Sequence, residues 1–175
     1  MDMYQSQGKS IPQRVTLAVV QTVILAITGW LMFGGERTLN AWLGWKLSPG
    51  DGHRQLLLFI LFLVVYLRIT FMVFYLLKRS ISWSESLAIP FAFALYYIGF
   101  ALFSQTPAKP LIDLDVVYVL LFLLGSWINT FSEWRRYLWK QHPQNTGKLY
   151  TQGLFRFSMH INYFGDVLDE TATRW

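Results

Sequence analysis

The sequence has no cysteine and little charge. None of its 175 residues is Cys, and Asp, Glu, Lys and Arg together make up 14%, against about 25% in an average soluble domain. The lack of cysteine excludes disulfides, cysteine-ligated metals and a thiol nucleophile. The low charge, with 54% hydrophobic residues, is typical of a membrane protein. We therefore assign the net charge of +5 to loops facing lipid headgroups, and expect no nucleic-acid partner.

Four long apolar segments are present. Each is about long enough to cross ~30 Å of hydrocarbon at 1.5 Å per residue. They cover residues 15–33, 56–77, 86–103 and 114–131. The third contains Pro90 and Gly99, which we expect to bend or loosen it, and the second carries Arg68, for which structural pairing and a ligand-side role both stay open. The sequence thus predicts an all-α, polytopic membrane helical bundle in a single membrane domain over residues 1–175.

The basic residues predict the topology. If the N-terminus is cytosolic, ten Lys and Arg residues lie in inside segments and four in outside segments, as the positive-inside rule favours. The inside set is Lys9, Arg14, Lys78, Arg79, Arg135, Arg136, Lys140, Lys148, Arg156 and Arg174, and the outside set is Arg37, Lys46, Arg54 and Lys109. We expect an integral protein with both termini cytosolic, in the inner membrane of a bacterium or the endoplasmic reticulum of a eukaryote.

Residues 132–175 form a different kind of segment, predicted to lie at the cytosolic face. A basic, aromatic helix runs on from the fourth span until Pro143 stops it, and turns follow at Thr146-Gly147 and Gln152-Gly153. On that helix Glu133, Arg136 and Lys140 share one face. This face is either a stripe facing water and headgroups or an anion clamp, in which Arg offers a planar fork for phosphate or carboxylate.

The stretch GLFRFSMHINYFGD, residues 153–166, concentrates polar side chains: Arg156, His160, Asn162, Tyr163 and Asp166. On a helix beginning near Phe155, Arg156 and His160 would point away from Asn162 and Asp166, whereas a turn near His160 and Ile161 would gather all four. From the residues alone, a polar cap at the membrane surface and a cofactor pocket are equally supported. His53 and His142 are expected at the surface, and neither has a partner at zinc-ligand spacing, so we expect no metal.

Residues 146–166 resemble the C-terminal motif of a membrane-enzyme superfamily. It comprises integral-membrane sterol reductases, steroid 5-alpha-reductases and isoprenylcysteine carboxyl methyltransferases, and its motif reads Arg-His-x-Asn-Tyr-x-Gly followed by an acid. The matching residues are Gly153, Leu154, Phe155, His160, Asn162, Tyr163, Gly165 and Asp166. The acid and the TGK at 146–148 look more like the sterol C14-reductase branch and its bacterial relatives of unknown function. The basic helix from Asn129 is similar to the region that precedes the motif.

The resemblance implies a cofactor pocket at the cytosolic membrane face and a lipid-like substrate from the bilayer. Reductases of the superfamily use NADPH to reduce a carbon–carbon double bond, and its methyltransferases use S-adenosylmethionine on a lipidic carboxylate. It implies that Arg136, Lys140 and Lys148 hold cofactor phosphates, with Arg156, His160, Asn162, Tyr163 and Asp166 completing the cofactor site. Tyr163 or His160 would donate a proton in a reductase. A non-catalytic membrane relative is the third interpretation.

The sequence departs from the superfamily pattern in two places. Met159 stands where Arg usually precedes the His. The resemblance also implies one or two further hydrophobic segments and a tail that closes the cofactor pocket, whereas VLDETATRW follows Asp166. As an expectation, the chain is then C-terminally truncated and inactive as it stands.

Overall fold

The structure is a computed structural model that describes residues 10–105 and 113–172, with side chains described for residues 10–105 and 115–168. The described residues form helices and loops and contain no strand. They fall into two compact units, one within residues 1–111 and the other within residues 112–175. Lys9, Lys109 and Arg174, which entered the topology prediction, lie outside the described residues, as does part of the loop before the fourth span.

The first unit contains four α-helices, α1 (Ile11–Trp30), α2 (Glu36–Leu43), α3 (Gly52–Phe71) and α4 (Trp83–Phe103). Short π-helical segments, Leu31–Gly35 and Met72–Leu76, extend α1 and α3. Pro12 lies in the first turn of α1, where a missing N–H is tolerated. α1 packs mainly against α4 and also contacts α3.

Arg14 joins the start of α1 to the end of α3. Its guanidinium donates hydrogen bonds to the carbonyl oxygens of Val73, Leu77 at 2.8 Å and Arg79 at 3.0 Å. Nearby, the buried N–H of Ile81 donates to Ser10 Oγ at 2.9 Å. Carbonyls at a helix C-terminus have no partner within the helix, so the charged guanidinium supplies donors that the backbone there lacks.

The start of α4 is fixed by a capping box. Ser82 Oγ accepts from the N–H of Glu85 at 3.2 Å, and the Glu85 carboxylate accepts from the N–H of Ser82 at 2.9 Å. This cap explains why the helix begins at Trp83, three residues before the predicted span. The helix continues through Pro90 and Gly99 as one element.

The first unit buries polar side chains among its apolar ones. Gln21 and Tyr97 are fully buried, and Tyr97 Oη donates to the Phe62 carbonyl at 3.3 Å. At the other end of α1, Gln105 Nε2 donates to the Leu31 carbonyl at 2.8 Å, where the π-helical segment begins. Tyr97 and Gln105 thus hydrogen-bond to backbone carbonyl oxygens of other helices in this unit.

The second unit consists of a long helix and a returning segment. α5 (Asp113–Lys140) is followed by two 3₁₀ turns, Pro143–Asn145 and Gly153–Arg156, and then by α6 (Ile161–Ala172). α6 packs extensively against α5. Gly147 and Gly153 adopt positive φ values of 76° and 61°, which confirms the two predicted turns.

The prediction of four membrane-spanning helices is confirmed. Within the part of the chain that the structure describes, four helices are long and apolar enough to cross a bilayer: Ile11–Leu43, Gly52–Leu76, Trp83–Phe103 and Asp115–Lys140. All four helices extend beyond the predicted bounds at one end or both. The predicted bounds mark where the apolar residues stop, whereas a helix continues as long as its backbone hydrogen bonds do and ends at its capping groups. The fold is therefore all-α and polytopic, whereas the orientation of the termini and the single-domain prediction stay predictions.

Candidate functional site

α5 buries several polar side chains. Asp115 and Phe122 are buried nearer its start, and Ser126, Asn129, Ser132 and Glu133 are buried further along. The last four make the buried face of this part of the helix polar. These four lie at helical spacing on one face. Buried polar groups need partners, so this polar face indicates a specific arrangement of hydrogen bonds opposite it.

Asn129 connects α5 to α6. Its Nδ2 donates to the Asn162 carbonyl oxygen at 3.0 Å and to Asp166 Oδ1 at 2.8 Å. Its own side chain is only 4% exposed, and its Oδ1 is buried without a hydrogen-bond partner. One amide thus positions two members of the predicted motif and leaves a buried acceptor beside them.

Gly165 allows this close approach of the two helices. A Cβ at position 165 would lie 2.5 Å from the Gly125 carbonyl oxygen and 2.9 Å from the Asn129 backbone N. Both contacts are to backbone, which cannot move aside as a side chain can. Glycine in the motif is therefore required by packing between α5 and α6.

Arg136 and Glu133 form an ion pair on α5, one turn beyond Asn129. Arg136 Nη2 donates to Glu133 Oε2. The Arg136 side chain is 40% exposed, whereas that of Glu133 is 9% exposed and its Oε1 is buried without a partner. Glu133 and Arg136 thus share a helix face, and the buried carboxylate offsets part of the positive charge of Arg136.

An aromatic cluster of Trp139, Tyr150 and Phe155 holds the returning segment against α5. The Trp139 and Tyr150 rings lie 5.3 Å apart, and the Tyr150 and Phe155 rings 5.5 Å apart, centroid to centroid. Arg136 Cζ lies 5.5 Å from the Phe155 ring centroid, within cation–π range. Tyr150 and Phe155 are buried, so this cluster fixes the path of the chain that leads into the motif.

The motif residues begin α6 and the turn before it. No α-helix begins near Phe155. A 3₁₀ turn ends at Arg156, and the α-helix starts only at Ile161. The alternative, a turn near His160 and Ile161, is what the structure has. Ser158 Oγ accepts from the His160 N–H at 3.1 Å, and this local bond keeps His160 outside the helix.

His160 and Tyr163, the two predicted proton donors, lie side by side. Their ring centroids are 5.5 Å apart and their planes differ by 12°. Both side chains are exposed. The two rings are therefore nearly parallel neighbours at the start of α6.

The remaining predicted residues divide into two groups. Asn162 and Asp166 are half-buried against Asn129, at the contact between α5 and α6. Arg136, on α5, is half-buried over the Phe155 ring. Lys140, Lys148 and Arg156 are exposed.

Sequence reasoning gave no role to Asn129 and treated Glu133 as one member of an exposed face. The available signal was the 3.6-residue spacing of polar residues within an otherwise apolar helix, which indicates a buried polar face. His142 is exposed as predicted, and His53, also exposed, lies in the first turn of α3 rather than in a loop. Among the described residues, no group of three His, Asp or Glu side chains could hold a metal ion.

These observations define a polytopic α-helical membrane protein with a polar helix–helix junction in its second unit. Residues 82–169, half of the chain, match the family described as a protein of unknown function, DUF1295, and the chain belongs to this family. The matched region includes α4, α5 and the whole candidate site. No curated protein and no solved structure matches the chain.

Proposed function

We propose that the protein is a membrane-embedded, NADPH-dependent reductase that acts on a carbon–carbon double bond of a sterol-like, isoprenoid or enone lipid. The observation that carries the proposal is the double hydrogen bond from Asn129 to Asn162 and Asp166. It joins the long helix α5 and the motif, which are far apart in sequence, into one polar junction. The type of reaction and the cofactor in this proposal come from the resemblance to the superfamily.

The residues at this junction fit a cofactor with both anionic and hydrogen-bonding parts. Arg136 is half-exposed and offers a planar donor fork for a phosphate. Asn129 Oδ1 and Glu133 Oε1 are buried acceptors without partners, ready to accept from the N–H or O–H groups of a ligand. Lys140 and Lys148 carry further positive charge and, on this proposal, contact phosphate as well.

NADPH supplies a hydride when it is bound. The chain's own task is then to orient the substrate and to deliver a proton to the neighbouring carbon. Tyr163 and His160 are the candidates, because their rings lie side by side and both are exposed. Asn162, Asp166 and Arg156 complete the cofactor site, with Asn162 and Asp166 held in place by Asn129.

An S-adenosylmethionine-dependent methyltransferase acting on a lipidic carboxylate is the second candidate. It is favoured by the pairing of Arg136 with Glu133, which lowers the net positive charge available for a pyrophosphate and a 2′-phosphate. The cofactor of a methyltransferase carries a sulfonium and a carboxylate, and depends more on acidic side chains such as Asp166 and Glu133. A non-catalytic relative that keeps the fold is the third.

Cofactor binding separates the three. The protein is solubilised in mild detergent and titrated by calorimetry with NADPH, NADH and S-adenosylmethionine in turn. Arg136→Ala and His160→Ala are compared with Arg135→Ala, a matched control that removes an exposed cation from the adjacent position on the same helix.

Saturable NADPH binding that Arg136→Ala and His160→Ala weaken by tenfold or more, about 1.4 kcal/mol, while Arg135→Ala has little effect, supports the reductase. Binding of S-adenosylmethionine alone overturns it in favour of the methyltransferase. If a folded sample binds neither, the non-catalytic interpretation stands.

A further inference from the structure

α6 exposes large apolar side chains, whereas helices on water-soluble proteins bury apolar residues and expose polar ones. Ile161 and Leu168 are half-buried on the side that faces α5. In α6 the half-buried residues Asn162 and Asp166 face α5, and the glycine between the helices is Gly165. The outward face carries Tyr163, Phe164 and Val167, which are 60%, 52% and 57% exposed.

α6 also lies beside the middle of a membrane-spanning helix. Gly165 contacts Gly125 and Asn129 of α5, and the span runs from Asp115 to Lys140. About 20 residues cross the hydrocarbon core, so a core counted from Asp115 reaches Trp134 and includes both contact positions. Gly125 is then about 15 Å, at 1.5 Å per residue, from the Asp115 end.

The surface of α5 at the same level is apolar and exposed. Leu124 and Trp127 flank the contact with α6 and are 47% and 53% exposed. On a spanning helix such a surface contacts lipid. The outward face of α6 lies level with this surface and extends it.

We propose that α6 is inserted in the hydrocarbon region and that Phe164 and Val167 contact lipid acyl chains. The occupant of this apolar face is bilayer lipid, as the shared level with the lipid-facing surface of α5 indicates. The segment after α5 therefore leaves the membrane, turns through residues 141–160 and re-enters it. This differs from the expectation that all of residues 132–175 lie at the cytosolic face, and it holds whether or not the protein binds NADPH.

The absence of cysteine makes a direct test straightforward. Single-cysteine variants Phe164→Cys and Val167→Cys are reconstituted in phosphatidylcholine and phosphatidylglycerol vesicles that are permeabilised with a pore-forming peptide, so that both membrane faces are accessible. Labelling with a membrane-impermeant maleimide is timed. Leu149→Cys, 69% exposed between the 3₁₀ turns, is the aqueous control, and Leu124→Cys on α5 is the lipid control.

Phe164→Cys and Val167→Cys should label about tenfold or more slowly than Leu149→Cys and as slowly as Leu124→Cys, because the charged reagent does not enter hydrocarbon. Labelling as fast as Leu149→Cys overturns the proposal. Thermal unfolding of each variant verifies that the outward substitutions leave the fold intact.

A second measurement distinguishes lipid from protein contact. A nitroxide attached at position 164 or 167 should be relaxed strongly by oxygen, which concentrates in lipid, and weakly by a water-soluble nickel complex. Slow labelling together with weak relaxation by both agents would place the face against a second copy of the chain and would equally overturn the proposal.

Discussion

Asn129 on α5 donates a hydrogen bond to Asp166 on α6 at 2.8 Å, and the same Nδ2 reaches the Asn162 carbonyl at 3.0 Å. The amide is buried, so water does not compete for these bonds. The position of the motif relative to the long helix therefore depends on one side chain that can donate.

Asn129→Ala should destabilise the second unit by about 1–3 kcal/mol, the usual range when a buried acceptor loses its donor. Asn129→Asp should be at least as harmful, because the carboxylate cannot donate and adds a negative charge next to Asp166. Thermal unfolding in detergent measures both. The neighbouring Thr130→Ala is the control, and equal stability of Asn129→Ala and Thr130→Ala would contradict the assigned role.

Gly165→Ala should separate α5 from α6. The added Cβ would lie 2.5 Å from the Gly125 carbonyl oxygen, a distance that real Cβ atoms do not adopt. We expect a lower unfolding temperature and faster proteolysis of the second unit. Gly99→Ala on α4 is a matched control, since no atom lies within 4 Å of its added Cβ. It should be neutral or stabilising by up to about 1 kcal/mol through helix propensity.

Arg14→Lys should lower the stability of the first unit by about 1–3 kcal/mol, the scale of lost hydrogen bonds to a charged group. Arg14 donates to three carbonyls, and the point-like ammonium of Lys cannot reproduce the planar fork. Unfolding in denaturant, read by tryptophan fluorescence, is the measurement. Arg37→Lys, whose parent side chain is 92% exposed, should change stability little. A similar loss for both would contradict this prediction.

Ser82→Ala should lower the stability of α4 by about 1 kcal/mol, as is usual when a helix cap is lost. Ser82 Oγ accepts the N–H of Glu85, and alanine leaves that donor without its cap. The rate of amide hydrogen exchange in the first turn of α4 should rise as the stability of this turn falls. Exchange rates in Ser82→Ala that stay at the wild-type level would argue against the cap.

Local features of the fold were predictable from the sequence, because they depend on neighbouring residues. The apolar runs predicted the four spanning helices, Pro143 marked the end of α5, and Gly147 and Gly153 marked turns. Helix ends were less accessible. The capping box at Ser82 begins α4 three residues before the apolar run, whereas the continuation of α5 through Glu133 and Arg136 was predicted.

The contacts that assemble the candidate site could not be predicted from local sequence patterns. The partner of Asn129 lies 37 positions away, and no spacing rule connects the two. The resemblance named Asn162 and Asp166 but gave no reason for their arrangement. That reason is the close approach at Gly165, a tertiary contact that selects which face of α6 is turned inward.

The Arg14 contacts also constrain the order in which the helices of the first unit assemble. The carbonyl oxygens that accept its hydrogen bonds belong to residues 73–79, which leave the ribosome about sixty residues after Arg14. The first helix therefore enters the membrane before its partners exist, with a charged group that water must solvate at the surface. Only when the end of α3 arrives can the start of α1 be fixed, so assembly of the first unit is completed from its later segments back to its earliest one.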